Sequence, residues 1–161
     1  MPPQGANCFD ASALVKVFTE EPDGEAVRSH FRHGSPTKYT TLFCFYESMN
    51  VLKSKWRYQG KLTQEQYNQA AWNLMAWYTP LTKYEDLDLG HPLVFSEVKK
   101  VATKHNLDWS DAFQIVSVRD GFFARLVNDS QTLLITADNQ LADAARAENL
   151  RVWNCIKDAR P

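Results

Sequence analysis

The order of short apolar runs and helical periodicities constrains this chain more than any other feature. Residues 6 to 9 (Ala6-Asn7-Cys8-Phe9) and Gln131 to Thr136 are too short for a helix and apolar enough for buried strands. Lys38-Tyr39-Thr40-Thr41 and Arg151-Val152-Trp153 suit two more strands, and Leu81 to Leu89 includes a further one. Helical segments separate them. Strands alternating with helices run parallel, because each helical crossover returns the chain to the end of the sheet where the previous strand began. The predicted class is α/β, with helices flanking a mainly parallel sheet.

The helices have recognisable limits. The first is capped by Asp10 or Ser12 and runs to about Phe18, where Glu20-Glu21-Pro22-Asp23-Gly24 breaks it. A second, near Glu25 to Phe31, puts Val27 and Phe31 on one face. From Leu42 to Trp56, the residues Phe45, Met49, Leu52 and Trp56 form one apolar stripe. Thr63-Gln64-Glu65-Gln66 reads as a capping box, opening a helix that turns Tyr67, Ala70, Ala71, Leu74, Trp77 and Tyr78 inward and stops at Pro80. Pro92 starts a helix burying Val94, Val98, Val101 and Ala102. Asp108 or Ser110 caps the next, which reaches about Leu126 and is apolar on most sides. Asn139 to Glu148 forms the last.

Length and composition point to one domain, 1–161, with a core of about 7–154. A chain of 161 residues, 44% hydrophobic and with nine Phe, five Trp and six Tyr, can bury a core of its own, which excludes a disordered polar tail. The net charge of −1 gives no bulk attraction for nucleic acid, so such a partner has to be met by a local basic patch. Cys8, Cys44 and Cys155 are odd in number, far apart and without metal-site spacing, which reads as buried free thiols in a reducing compartment. The N-terminal residues lack a signal-peptide pattern, and no apolar stretch approaches the roughly 20 residues that span a bilayer. A cytoplasmic protein with no membrane partner is expected. The pairs His30/His33 and His91/His105 match no metal spacing and read as exposed structural histidines.

Four acids stand beside these elements: Asp10 after the first strand, Glu47 inside a helix, Asp111 at a helix start, and Asp138 after a buried strand. Each alone has an ordinary use. Asp10, Asp111 and Asp138 suit helix caps, and Glu47, with Asn50 and Ser54 nearby, suits a solvated face. Together they imply something else. In parallel α/β folds ligands gather at the carboxyl ends of strands, and carboxylates converging there repel one another unless a cation neutralises them. Hard divalent cations take oxygen ligands and favour phosphate substrates. Acids, metal and phosphate together suggest phosphodiester hydrolysis.

As an ordered set, these motifs resemble the PIN domain. They are Asp10-Ala11-Ser12-Ala13-Leu14-Val15-Lys16 after a strand, Glu47 in a helix, Ser110-Asp111-Ala112 at a helix start and Thr136-Ala137-Asp138 after a buried strand. The segment Leu134 to Asn154 is especially similar to VapC-type toxins of bacterial toxin–antitoxin pairs, and the similarity runs from about Asn7 to Asn154. The resemblance implies a three-layer α/β/α sandwich and a Mg²⁺- or Mn²⁺-dependent endoribonuclease. It also implies a homodimer and a small protein antitoxin that fills the groove near the active site. Asp10, Glu47, Asp111 and Asp138 become its acidic quartet. Two departures stand out. The interval from Asp111 to Asp138 is longer than in the most compact members, and Asn139 follows Asp138 where some relatives carry another acid, the nearest here being Asp143.

The expected chemistry is metal-assisted hydrolysis of RNA. Asp10 and Asp111 are assigned as direct ligands, Asp138 as direct or through water, and Glu47 as orienting water or binding through it. Ser12 and Thr136 are candidates to brace neighbouring carboxylates, while Asn139 and Asp143 both stay open as contributors to the metal's surroundings. Lys53, Lys55, Arg57 and Lys61, with Trp56 and Tyr58 among them, suit phosphate contact and base stacking, or an ordinary solvated junction. Lys16 is a further phosphate contact through its motif. The competing readings are a free-standing PIN nuclease in RNA processing and a catalytically silent PIN-like module that binds RNA or protein. A phosphotransfer site of Asp-x-Asp type is disfavoured because Ser12 occupies the second position.

Overall fold

A computed structural model describes residues 5–81, 87–125 and 132–161. Among them, four strands form one sheet: β1 (Ala6–Phe9), β2 (Thr37–Tyr39), β3 (Leu133–Thr136) and β4 (Arg151–Asn154). Their order is β2-β1-β3-β4 and every pairing is parallel, with Cys8 opposite Tyr39 and Leu134, and Ile135 opposite Trp153. Seven α-helices accompany it: α1 (Ala11–Phe18), α2 (Glu25–His33), α3 (Leu42–Arg57), α4 (Gln64–Tyr78), α5 (Pro92–His105), α6 (Trp109–Asp120) and α7 (Asn139–Ala147).

Side-chain alternation along the strands divides the core into two layers. Phe9, Leu133, Ile135 and Trp153 pack against residues of α1 to α4, including Leu14, Val27, Leu52 and Leu74. Cys8 and Leu134 face the opposite way, against Val98 and Val101 of α5, Phe113 and Ile115 of α6, and Leu141 and Ala145 of α7. The result is a three-layer α/β/α sandwich. No helix among the described residues is long and apolar enough to cross a membrane.

Helix starts follow the side chains that can accept backbone N–H groups. The predicted capping box is present, with Thr63 and Gln66 satisfying each other's backbone donors. Asp108, not Ser110, caps α6, and Asp10 caps α1. The strand expected at Lys38 to Thr41 stops at Tyr39 because the next two side chains leave the ladder. Thr40 donates its hydroxyl to the Phe9 carbonyl at 2.7 Å, and Thr41 caps α3 through the Cys44 amide at 3.1 Å.

The helix expected to reach Leu126 ends instead at Asp120, and a 3₁₀ turn, Phe122–Arg125, follows it. Gly121 marks the break, where an added Cβ would meet the Ser117 carbonyl at 2.7 Å and Leu87 at 3.1 Å. Leu126 lies outside the described residues, as do residues 82–86 of the strand expected at Leu81 to Leu89, whose described part is not strand. The aromatics of α3 and α4 mostly pack inward: Phe45 stacks on Tyr78 and Trp56 on Tyr67, while Trp77 meets Phe31 edge-on. Trp72, by contrast, is largely exposed.

All three cysteines are buried free thiols. His33 and His91 are exposed as expected, whereas His30 is buried and accepts from the Asn7 amide at 2.9 Å. His105 is drawn against Glu148, and His91 caps α5.

Candidate metal centre

The strand order reverses direction between β1 and β3, which are neighbours although the chain leaves them for opposite edges. Such a point opens a crevice at the carboxyl ends of the strands. Asp10 follows β1 there, and Asp138 follows β3. The starts of α1 and α7 add partial positive charge beside their capping carboxylates.

One oxygen from each of Asp10, Glu47 and Asp111 lies within 4.8 Å of the others, the three being the described residues that form such an acidic group. α3 supplies Glu47 from its second turn, and the first turn of α6 supplies Asp111. Asp138 stands outside that span. It is exposed, and its Oδ1 accepts from the Leu141 amide at 3.0 Å as the cap of α7.

Asp10 is the most enclosed of the group. Its Oδ2 accepts from the Ser12 hydroxyl at 2.5 Å, the Ser12 amide at 3.2 Å and the Thr136 hydroxyl at 2.9 Å. Those hydroxyls are fixed in turn, as Ser12 accepts from the Ala137 amide and Thr136 from the Asp138 amide. Oδ1 has a distant thiol contact, Cys44 Sγ at 3.9 Å. Beneath it, buried Gln114 accepts from the Cys44 thiol and lies 3.8 Å from Cys8 Sγ.

Burial and mutual repulsion raise the proton affinity of the whole group. Desolvation lifts Asp10 above the ordinary carboxylate range, against the pull of its Ser12 and Thr136 hydrogen bonds. Glu47 is pushed up to about 7, first by desolvation and then by the charges of Asp10 and Asp108. Asp111 is pushed up to about 8 by desolvation, then by Asp10, Asp108 and Glu47. Asp138 acts on both at longer range. Burial and the Asp10 charge keep the Cys44 thiol protonated at neutral pH.

Asp108 is the participant that sequence reading missed. It caps α6 through the Asp111 amide at 3.0 Å and accepts from Ser110 at 3.0 Å, while its charge presses on two of the three acids. Its spacing of three from Asp111 was the available signal, because a cap and the third residue of a helix share one end.

Neither doubtful position joins the cluster. Asn139 accepts from the Asn154 amide at 2.8 Å, and exposed Asp143 pairs with Arg146.

The basic residues divide. Lys16 is held by Glu21 and Asp23, each at 2.8 Å, and Lys55 pairs with Glu21, both lysines being mostly buried. Lys53, Arg57 and Lys61 are exposed, with the Arg57 guanidinium 5.2 Å from the Trp56 ring centre.

An all-oxygen set of three converging acids with raised proton affinity fits a hard divalent ion better than a soft one. Comparison with known proteins returns no matching family model and no matching curated protein.

Proposed function

We propose that this chain is a divalent-metal-dependent endoribonuclease, the toxin of a type II toxin–antitoxin pair. The observation that carries the catalytic part is the convergence of Asp10, Glu47 and Asp111 within 4.8 Å at the carboxyl end of a parallel sheet. The toxin role, the antitoxin and the homodimer rest on the resemblance of the sequence motifs to VapC-type PIN domains.

Asp10, Glu47 and Asp111 would hold Mg²⁺ or Mn²⁺, with Asp138 nearby. A bound cation supplies charge neutralisation for the phosphate and lowers the pKa of its water. The protein's own residues do the rest. Ser12 and Thr136 fix the direction of the Asp10 carboxyl by holding one of its oxygens. Glu47, whose carboxylate lies beside those of Asp10 and Asp111, is placed to orient attacking water or take its proton. Asp108 and Ser110 orient the Asp111 end of the cleft by fixing the start of α6.

The test is cleavage of total cellular RNA by the purified chain with Mg²⁺ or Mn²⁺, beside Asp10→Asn and an EDTA control. Cleavage that disappears in both controls supports the reading. Cleavage surviving Asp10→Asn would assign the activity to another site or to a contaminant, and absence of cleavage with every metal would favour the binding-module reading.

A further inference from the structure

We infer that the outer face of α3 beside Glu47 is a stacking site for one unpaired nucleobase of the strand whose phosphate meets the three carboxylates. The inference rests on the nuclease reading and adds what lies next to the reacting phosphate.

The face is set by helical spacing. Phe43, Tyr46, Asn50 and Ser54 follow one another at intervals of three or four, Glu47 stands four after Phe43 and three before Asn50, and with Val51 and with Ser110 from α6 they line a groove of about 470 Å³. That volume falls in the range of small-ligand clefts, about 300–1,000 Å³. The groove is continuous with the acidic site, because Glu47 belongs to both.

Its chemistry selects the occupant. Among the described residues that line it there is no lysine or arginine, and its single charged group is the Glu47 carboxylate. A phosphate or an acidic peptide therefore finds no counter-charge there. A flat, neutral, partly polar group does find partners. Tyr46 is 59% exposed and Phe43 is 40% exposed, and each has an aromatic neighbour. Phe43 stands edge-on to buried Phe113, with ring centres 4.9 Å apart. Tyr46 lies 5.6 Å from Phe45, which itself stacks on Tyr78.

A ring backed by a buried one, as Phe43 is by Phe113, loses little freedom when a base settles on it. Aromatic platforms of this kind hold unpaired bases whatever their identity, because every base has a π-face. The amide of Asn50, one turn beyond Tyr46, offers both a donor and an acceptor to a base edge.

The test titrates the full chain, in Ca²⁺ buffer, with single-stranded oligoribonucleotides carrying 2-aminopurine at each position in turn. Fluorescence is read in one aliquot and cleavage, with Mg²⁺ or Mn²⁺, in another. The expected result is quenching at one position beside the cut. Tyr46→Leu should weaken binding about 10-fold, while Tyr46→Phe keeps it. An abasic nucleotide at the quenched position should reproduce the Tyr46→Leu loss with the wild-type chain, independently of how the variant folds.

Cleavage that proceeds with no position quenched, and with the abasic and Tyr46→Leu arms unchanged, would overturn the stacking site and leave the nuclease reading standing. Quenching without cleavage under any metal would remove the nuclease reading and keep the base site. Self-association that Tyr46→Leu abolishes, with no quenching, would assign the groove to a second copy of the chain and overturn the proposal.

Discussion

Thr136 donates its hydroxyl hydrogen to Asp10 Oδ2 at 2.9 Å, tying the end of β3 to the end of β1 across 126 residues of chain. The hydroxyl is fully buried and also accepts from the Asp138 amide, so one side chain holds the Asp10 carboxyl and the Asp138 backbone. Thr136→Val keeps the shape and removes both hydrogen bonds. It should lower stability by about 2 kcal/mol, the usual scale for buried bonds to a carboxyl group. Urea denaturation would show this, and an Asp10→Asn background should shrink the loss. An undiminished loss in that background would mean that Thr136 acts by packing alone.

Glu47 and Asp111 hold protons that an unfolded chain would have released, with pKa values of about 7 and about 8 against ordinary values of 4.5 and 3.8. Their contribution to stability is therefore fully present below about pH 4 and is lost as pH rises through about 7 and 8. The metal-free protein should melt progressively lower across that window. Saturating Mg²⁺ or Mn²⁺ should reverse the trend. At 100 times the dissociation constant the gain is about 2.7 kcal/mol, or roughly 5–10 °C for a chain of this size. A melting temperature indifferent to both pH and cation would contradict the shared site.

Asp111→Asn separates charge from shape. In metal-free buffer at pH 8 it should stabilise the fold by on the order of 1 kcal/mol, allowing for solvent screening of a half-open group. It should also abolish the cation-induced gain. A variant that is less stable in both conditions would show that Asp111 is held for structural reasons.

The distances rank the acids. Asp10, Glu47 and Asp111 share the 4.8 Å span, whereas Asp138 is occupied as a helix cap. Replacing any of the first three by its amide should lower cleavage by more than about 100-fold, and Asp138→Asn by about 10–100-fold, the scale of supporting residues. Equal losses at all four in steady-state assays would put Asp138 on the same footing as the other three.

Away from the site, Glu148 joins the end of α7 to its layer neighbours α5, through Lys104 and His105, and α6, through Arg119. Hydrogen bonds from Lys104 and His105 depress its carboxyl to about 2, below the ordinary 4.5. Its stabilisation is present above pH 4.5 and fades as pH falls toward 2. Glu148→Gln should thus cost about 1–3 kcal/mol at pH 7 and much less at pH 3, checked by denaturation at both. A gap that stays constant with pH would remove the ion pairs as its cause.

Local signals reached far in this chain, and their limit is equally physical. Alternating apolar runs located the strands around Phe9, Ile135 and Trp153, and cap chemistry located the starts of α1, α4 and α6. Both depend on neighbours within one turn. Lys16 could not be read that way. The run Glu20 to Gly24 is legible as a breaker, but its acids fold back onto Lys16 and draw in Lys55 from α3, a pairing set by tertiary approach. Asp138 illustrates the same boundary. Its motif gives the strand end, whereas the direction of its carboxyl follows from the Leu141 amide that it caps.

The floor beneath Asp10 has its own consequence. Gln114 and the protonated Cys44 are both neutral and bonded to each other, so they insulate without compensating charge. Asp10 is buried while Glu47 and Asp111 are half-buried, so the acids meet solvent through the latter two. Whatever neutralises them enters and leaves from the solvent side, and its exchange should be governed by access to that side, with the sheet below remaining still.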